Sequence, residues 1–225
     1  MSAYDPFSSP HVDAALYFTD QGQYLFKAKQ EGGCISKTLR EPEVCAAFTR
    51  KGFDSGWLGN GIIRMGSNTH GKWYVYLAAR TTVSVNFDNK EGCQIPLPVT
   101  LLIAVGTTYH LFALKVGKYP GAFFNEAEVF EAPFPNVHPR SGLICWGNNP
   151  VPKFDVVYPG TAWVSFFSTP FNADLAENKS KKFPKDVRTM LRSLENEAVY
   201  PVKDLVSTQM NVDQLIKKLV GRDLE

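Results

Sequence analysis

Residues 134–150 read FPNVHPRSGLICWGNNP, and this stretch decides the fold because strand-like segments precede it and helix-like segments follow it. Pro135 and Pro139 exclude a regular helix or strand ladder, Gly142 permits a positive φ, and the Gly-Asn-Asn-Pro after Cys145 is typical of a turn. A cysteine attacks an acyl carbon only if its thiol ionises and the acyl group can reach it, which favours an open, irregular backbone. Cys145 is therefore the best candidate nucleophile.

The first half of the chain is rich in strand-like segments that are separated by turn residues, which predicts three β-hairpins. Their strand pairs are residues 15–19 with 24–28, 73–77 with 82–87, and 99–105 with 109–116. In the fourth of these strands Val83, Val85 and Phe87 alternate and share one face. Strands that precede helices predict an α+β domain whose mainly antiparallel sheet is covered on one side.

Helical periodicity dominates the last third of the chain, where two sets of apolar residues recur at i, i+3, i+4 and i+7. These sets are Val187, Met190, Leu191 and Leu194, and then Val212, Leu215, Ile216, Leu219 and Val220. Asn211 is expected to cap the second helix and Gly221 to end it. Shorter helices are predicted over 41–48 and over 161–167, although the aromatic content of 161–167 also allows a strand.

The loop before Cys145 resembles the active-site stretch of ubiquitin-conjugating enzymes, in which His-Pro-Asn precedes a short loop, a Gly, an apolar residue and the catalytic cysteine. Gly142-Leu143-Ile144-Cys145 matches the end of that pattern. Phe134 stands where the family has histidine, and Asn136 lies one residue farther from the cysteine than usual. The resemblance implies that Cys145 is the catalytic cysteine and Asn136 the family's asparagine, an oxyanion donor.

The second half is more similar to one bacterial branch, known as PRTRC system protein B or prokaryotic ubiquitin-conjugating-enzyme family D. The matching motifs are residues 141–148, Trp163 with residues 166–172, and Tyr200-Pro201 with residues 204–206. This resemblance covers roughly residues 134 to 206. It implies a ubiquitin-conjugating-enzyme-like (UBC-like) fold, in which a β-meander is followed by the active-site loop and by C-terminal helices. Residues of about 30–72 are then an elaboration of a single domain that spans residues 1–225.

Composition excludes several classes of protein. With 44% hydrophobic and 20% charged residues the chain is neither disordered nor a repeat array, and its 225 residues can form one domain. A formal net charge of +2 gives no excess that would attract nucleic acid or an anionic membrane. The first ten residues have neither a basic nor an apolar segment of a secretory signal, and apolar runs are too short to span a bilayer, so a cytoplasmic location is expected.

Four cysteines without an export signal are expected to be free thiols, and no Cys-x-x-Cys supports a zinc site, so no metal or cofactor is predicted. Cys34, Cys45 and Cys93 are expected to be small, inert core residues. The alternative for Cys145 is that Leu143 and Ile144 continue a buried strand that ends in the cysteine. Four aromatic residues are predicted to pack in the core: Trp163, Phe166, Phe167 and Phe171.

Three other polar residues near the cysteine have two interpretations each. Asn136 suits an oxyanion donor and equally an ordinary turn residue that bonds its own backbone. Asn148, on the other side of Cys145, is a rival donor for which a turn role is favoured. His138 is close enough in sequence to perturb the thiol, but a solvated histidine is the commoner outcome in such a loop.

Three functions remain open. The resemblance implies a carrier enzyme that accepts a ubiquitin-like protein on Cys145 as a thioester from a ThiF-type activating enzyme and transfers it to an amine such as lysine. No metal or nucleotide is needed, because the activating enzyme supplies the adenylation energy. A JAB-type metalloprotease is expected in the same operon. The alternatives are a silent module that only binds a ubiquitin-like partner and a cysteine hydrolase, for which no partner motif is present.

Overall fold

The computed structural model describes residues 13–19, 23–44, 53–58, 61–68, 71–88, 92–115 and 124–221. The chain divides into two compact units, Met1–Lys51 and Gly52–Glu225, and each is described by itself. The expectation of one domain over residues 1–225 with an elaboration at about 30–72 stays a prediction.

An antiparallel three-stranded meander makes up most of the described part of the first unit. Its strands are β1 (Ala14–Phe18), β2 (Tyr24–Gln30) and β3 (Gly33–Leu39). Leu16 of β1 lies opposite Phe26 of β2, which confirms the first predicted hairpin. Residues 41–44 are helical, as predicted for the start of the helix over 41–48, and the rest of that helix, with Cys45, lies outside the described residues.

A seven-stranded antiparallel sheet runs through the second unit. The strands of this unit are β4 (Phe53–Asp54), β5 (Ile62–Asn68), β6 (Gly71–Ala78), β7 (Thr82–Val85), β8 (Cys93–Pro96), β9 (Val99–Val105), β10 (Thr108–Leu114), β11 (Glu128–Glu131) and β12 (Ser207–Asn211). Across the sheet they are ordered β12–β11–β10–β9–β6–β5–β4, and β7 pairs with β8 in a separate ribbon.

Two of the three predicted hairpins are present, and one pairing is wrong. The β9–β10 hairpin is confirmed, with Leu102 opposite Leu111. The predicted pairing of 73–77 with 82–87 is wrong, because β6 pairs with β5 and β9, whereas β7 pairs with β8. The apolar run in β6, where Trp73 and Val75 are fully buried, suits a central strand with two neighbours, and apolar content alone does not identify those neighbours.

Three helices of the second unit follow the predicted segments. They are α1 (Gly160–Ser168), α2 (Val187–Arg192) and α3 (Val212–Val220). Asn211 caps α3 in a reciprocal capping box with Gln214, and Gly221 ends it with φ of 100°, as predicted. The helix interpretation of 161–167 is confirmed over the strand alternative. Few helices and a mainly antiparallel sheet confirm the predicted α+β class.

Both faces of the sheet are buried, so the prediction of a sheet covered on one side is wrong. Successive residues of β9 point to opposite faces: Leu102 packs in a core with α1 and α2, and Leu101 packs in a second core with α3. The sequence signal for this was the apolar run Leu-Leu-Ile-Ala-Val at residues 101–105 of β9, because a strand with one solvated face alternates apolar and polar residues.

Leu191 on α2 tests this packing, because its side chain is fully buried in the first core. We expect Leu191→Ala to lower the free energy of unfolding by about 2–5 kcal/mol in denaturant titrations, since it removes buried methyl groups and leaves a cavity. The control is Val164→Ala on α1, where the valine is 56% exposed and the change should stay within about 0.5 kcal/mol. Equal effects of the two substitutions would contradict the packing of α2 in the first core.

Candidate active site

Cys145 opens into a cleft of about 670 Å³ in the second unit. The cleft is formed by two separate parts of the chain, the loop that carries Cys145 and the segment that follows α1, together with Asp88 after β7. Its lining residues are Asp88, Asn136, Cys145, Trp146, Gly147, Asn148, Asn149, Thr169, Pro170, Asn172 and Asp174. Cys145 itself is exposed, as expected for a thiol that an acyl group can reach.

Strand β10 holds the backbone directly before Cys145. The Leu111 N–H donates to the Gly142 carbonyl oxygen at 2.8 Å, and the Ile144 N–H donates to the backbone carbonyl oxygen of Tyr109 at 2.9 Å. Leu143 forms an isolated β-bridge with His110 rather than part of a strand. Ile144 is 4% exposed and anchors this segment in the core, and the chain then turns outward at Cys145. The alternative of a buried strand that ends in the cysteine is therefore not what the structure shows. Ile144 is buried, but it forms only an isolated bridge, and Cys145 is exposed.

Asn136 lies next to Cys145, although the two residues are nine positions apart in the sequence. Its carbonyl oxygen accepts the N–H of Cys145 at 2.8 Å, and its own backbone N–H donates to the backbone carbonyl oxygen of Asp174 at 2.9 Å. The residue is 8% exposed, and its side-chain Nδ2 donates to the Pro170 carbonyl oxygen at 3.2 Å. An amide NH₂ has two hydrogens, so one donor remains after this bond. Asn136 also has φ of 60°, which is a turn conformation that asparagine tolerates.

The other candidates lie at different places. Asn148 lines the cleft on the far side of Cys145 and is exposed. His138 is exposed, as expected for a solvated histidine, and is not among the cleft residues. His110 lies behind the loop, where its Nδ1 is 2.8 Å from the Ser141 oxygen and burial lowers the pKa of the imidazole. His110 therefore contacts the backbone of the loop at Ser141, and it does not act as a base beside the Cys145 thiol.

Two carboxylates in the cleft were not predicted from the sequence. The Asp88 carboxylate forms ion pairs with Arg188 at 3.0 Å and with Arg192 at 3.2 Å. Asp174 accepts a hydrogen bond from Asn172 at 2.9 Å, and no cation pairs with it among the described residues. Asp174 is 29 positions after Cys145 in the numbering, so no local pattern joined the two residues.

The predicted core residues have mixed outcomes. Phe166, Phe167 and Phe171 are buried as predicted, and Trp163 is half-buried with its indole N–H bonded to the Thr100 hydroxyl at 2.8 Å. Cys93 is buried as expected, and burial raises the pKa of its thiol. The prediction for Cys34 is wrong: it is exposed, because nearly all of β3 is exposed in the first unit.

The described residues contain no group of three or more His, Cys, Asp or Glu side chains that could hold a metal ion. Within the same part of the chain, no helix is both long and apolar enough to cross a membrane.

Comparison with protein families identifies the chain. The family model described as Prokaryotic E2 family D matches residues 37–208, which is more than half of the sequence, and the chain therefore belongs to that family. The match includes the Cys145 loop and the segment after α1. Membership gives the protein a conjugating-enzyme-like role in general terms. Searches of curated proteins and of solved structures found no match.

Gly142 is the residue on which the loop geometry depends most. It has φ of 65°, and a Cβ at this position would lie 2.4 Å from Phe112 Cζ and 2.9 Å from the Leu111 oxygen. Both the backbone conformation and the close approach to β10 therefore require glycine. The apolar sequence around it gave no indication of the contact with Phe112.

We expect Gly142→Ala to lower the free energy of unfolding by about 2–5 kcal/mol, because left-handed strain and overpacking add. Gly147→Ala is the matched control: Gly147 has φ of 56° and nothing within 4 Å of the added Cβ. Its loss should be about 1–2 kcal/mol, from the backbone alone. Denaturant unfolding measures both, and equal losses would show that Phe112 moves aside without cost.

Proposed function

We propose that the protein is a carrier enzyme that accepts the C-terminal carboxylate of a ubiquitin-like protein as a thioester on Cys145 and passes it to an amine. The observation that carries this proposal is the position of Cys145, an exposed thiol whose backbone is fixed by β10 and Asn136 at the mouth of a cleft. Family membership and the Gly142–Cys145 motif support the same role.

The reaction has two steps on one sulfur. In the first, the Cys145 thiolate attacks the thioester carbonyl on the activating enzyme; a new C–S bond forms, the old one breaks, and the thiol proton ends on the released thiol. In the second, an amine attacks the carbonyl of the Cys145 thioester; a C–N bond forms, the C–S bond breaks, and a proton returns to the Cys145 sulfur. Each step passes through a tetrahedral oxyanion that a nearby donor stabilises.

The cleft suits an extended peptide tail. Four asparagine side chains line it, at positions 136, 148, 149 and 172, and amide groups can both donate to and accept from a peptide backbone. Asp174, which has no countercharge among the described residues, makes the cleft favourable for an ammonium group. These features support an extended C-terminal tail as the donor and a lysine side chain as the acceptor.

The two alternatives fit the geometry less well. A silent binding module needs no exposed thiol, and Cys145 has one in a structured cleft. A cysteine hydrolase needs a base near the thiolate. Of the histidines in the described residues, His110 lies behind the loop and His138 is outside the cleft lining.

The partners follow from the narrower resemblance to PRTRC system protein B and from the UBC-like topology that it implies. A ThiF-type activating enzyme, a small ubiquitin-like protein and a JAB-type metalloprotease are expected in the neighbouring genes. A cytoplasmic location stays part of this proposal. An unrelated operon would count against it.

We expect Cys145 to form a thioester when the ubiquitin-like protein and activating enzyme of the operon are supplied with ATP. The adduct should appear as a gel shift that thiol reductant removes. Cys145→Ser should form at most a reductant-stable ester, and Cys145→Ala should form no adduct. Cys34→Ala is the control, because this thiol is also exposed yet lies in the first unit. Loading that survives Cys145→Ala would refute the assignment.

We expect Asn136 to serve the second step more than the first, since a thiolate leaves readily whereas attack by an amine needs more oxyanion stabilisation. Asn136→Ala should spare loading and slow single-turnover discharge to lysine by about 10²–10³-fold if Asn136 supplies one donor. Asn136→Gly separates chemistry from backbone strain, because glycine adopts the φ of 60° without cost.

Asn148→Ala is the rival variant in this experiment. A slow discharge in Asn148→Ala alone would assign the donor to Asn148. Unchanged discharge in all three variants would show that backbone N–H groups or solvent stabilise the oxyanion, and the role carried over to Asn136 would be wrong.

A further inference from the structure

Two charged side chains are buried behind the Cys145 loop. Glu131, at the end of β11, is 6% exposed, and Lys179, in the segment between α1 and α2, is 0% exposed. Fully buried lysine and glutamate are rare unless they are paired. Neither residue lines the Cys145 cleft, so neither is part of the chemistry proposed above.

Glu131 binds the backbone of the loop directly. Its two carboxylate oxygens lie 2.9 and 3.1 Å from the backbone N of Arg140, which donates to them. Arg140 has φ of 63°, an unfavourable conformation for a residue with a Cβ. A hydrogen bond to a charged acceptor is stronger than a neutral one, so the carboxylate holds the turn in this conformation.

Lys179 is placed to balance the charge of Glu131. Its Nζ lies 3.5 Å from the carbonyl oxygen of Ala132, the residue next to Glu131. Burial lowers the pKa of Lys179 to about 8, and the Glu131 carboxylate acts in the opposite direction and favours the ammonium form. The Lys179 ammonium and the Glu131 carboxylate do not form a direct ion pair, so the ammonium acts on the carboxylate through space from its position at Ala132.

The segment that carries Lys179 is itself held by buried polar groups. The Lys182 N–H donates to Asp204 Oδ1 at 2.8 Å, and the Phe183 N–H donates to the Ser180 hydroxyl at 2.9 Å. Asp204 and Ser180 are both buried. These bonds fix the backbone that directly follows Lys179, whose side chain is fully buried.

We propose that Glu131 and Lys179 are a pair of positioning residues: the Glu131 carboxylate holds the N–H of Arg140, Lys179 compensates the buried charge, and together they fix the 138–142 turn that presents Cys145. That this presentation serves thioester formation rests on the function proposed above. The hold on the turn does not depend on that function.

Each single substitution should disturb the pair in a different way. Glu131→Leu removes the acceptor of the Arg140 N–H. Lys179→Met removes the ammonium group and leaves the buried Glu131 carboxylate without a nearby positive charge, which weakens its hold on the Arg140 N–H. The double variant Glu131→Gln with Lys179→Met leaves no buried charge, and the glutamine oxygen can still accept the Arg140 N–H. The double variant should therefore recover the turn.

Amide hydrogen exchange of the whole chain, followed by mass spectrometry on peptides that cover 138–145, tests the hold on the turn. Glu131→Leu and Lys179→Met should raise exchange in this segment by about 10-fold or more, the loss expected for a hydrogen bond to a charged group. The double variant should return to within about 3-fold of the parent protein, as for a neutral bond. Controls are Glu128→Leu on the same strand and Lys181→Met, both at exposed positions.

Three results would refute the proposed positioning role of Glu131 and Lys179. They are an unchanged exchange rate in both single variants, an equal rise of the exchange rate in the β9–β10 peptides, or a double variant whose exchange rate stays as high as that of the single variants. The second would mean that the residues only stabilise the whole fold.

Loading of Cys145 is the second measurement. The single variants should lower kcat by about 10-fold with KM little changed, because the partner surfaces stay intact and the reacting geometry is lost. Normal loading despite fast exchange would overturn the positioning role. If the parent protein does not load at all, the proposed function fails, and the exchange data still decide whether the pair holds the turn.

Discussion

The free edge of β10 is the constraint on which the site depends. Strand β11 pairs with β10 only from Phe112 to Leu114, so the preceding residues of β10 would leave unpaired backbone groups. The segment around Gly142 and Ile144 occupies that edge and accepts and donates the missing hydrogen bonds at Leu111 and Tyr109. Buried backbone groups without partners are costly, so the sheet itself requires the loop to lie here. The exposed Cys145 directly follows Ile144, the last residue of the segment that bonds to β10.

A second set of contacts joins the loop to distant parts of the chain. Asn136 bonds to Cys145, Pro170 and Asp174, and Glu131 bonds to Arg140. The cleft therefore forms only when the loop, the end of β11 and the segment after α1 are in place together. This explains how an irregular stretch with two prolines can hold a thiol in one position while it stays open to solvent.

Local sequence patterns predicted the helices well, but they did not predict which strands form or how distant strands pair. The apolar repeat at Val187 and Leu191 and the cap at Asn211 depend on neighbours within one or two helical turns, and all were predicted. Strands β3, β4, β5, β8, β11 and β12 were not predicted, and β6 was assigned the wrong partner, because strand formation and pairing depend on packing across the sheet. In the site, the loop character of residues 134–150 was predicted from its prolines and glycines, and the proximity of Asn136 to Cys145 was implied by family resemblance. Asp174, Glu131 and Lys179 reach the loop through tertiary contacts that leave no sequence pattern.

The buried polar residues argue that this geometry was selected for position and not for stability. Of the six buried polar or charged side chains in the described part of the chain, Thr100 bonds Trp163, and the others are Glu131, Asn136, Lys179, Ser180 and Asp204. These five contact the Cys145 loop or the segment that carries Lys179. Burying charged groups costs solvation free energy, so the buried Glu131 and Lys179 are weak evidence for stability. Proteins depart from the simplest packing mainly where function needs a defined geometry. Glu131 and Asn136 bond the Cys145 loop directly, so a defined geometry of that loop agrees with the role proposed for Cys145.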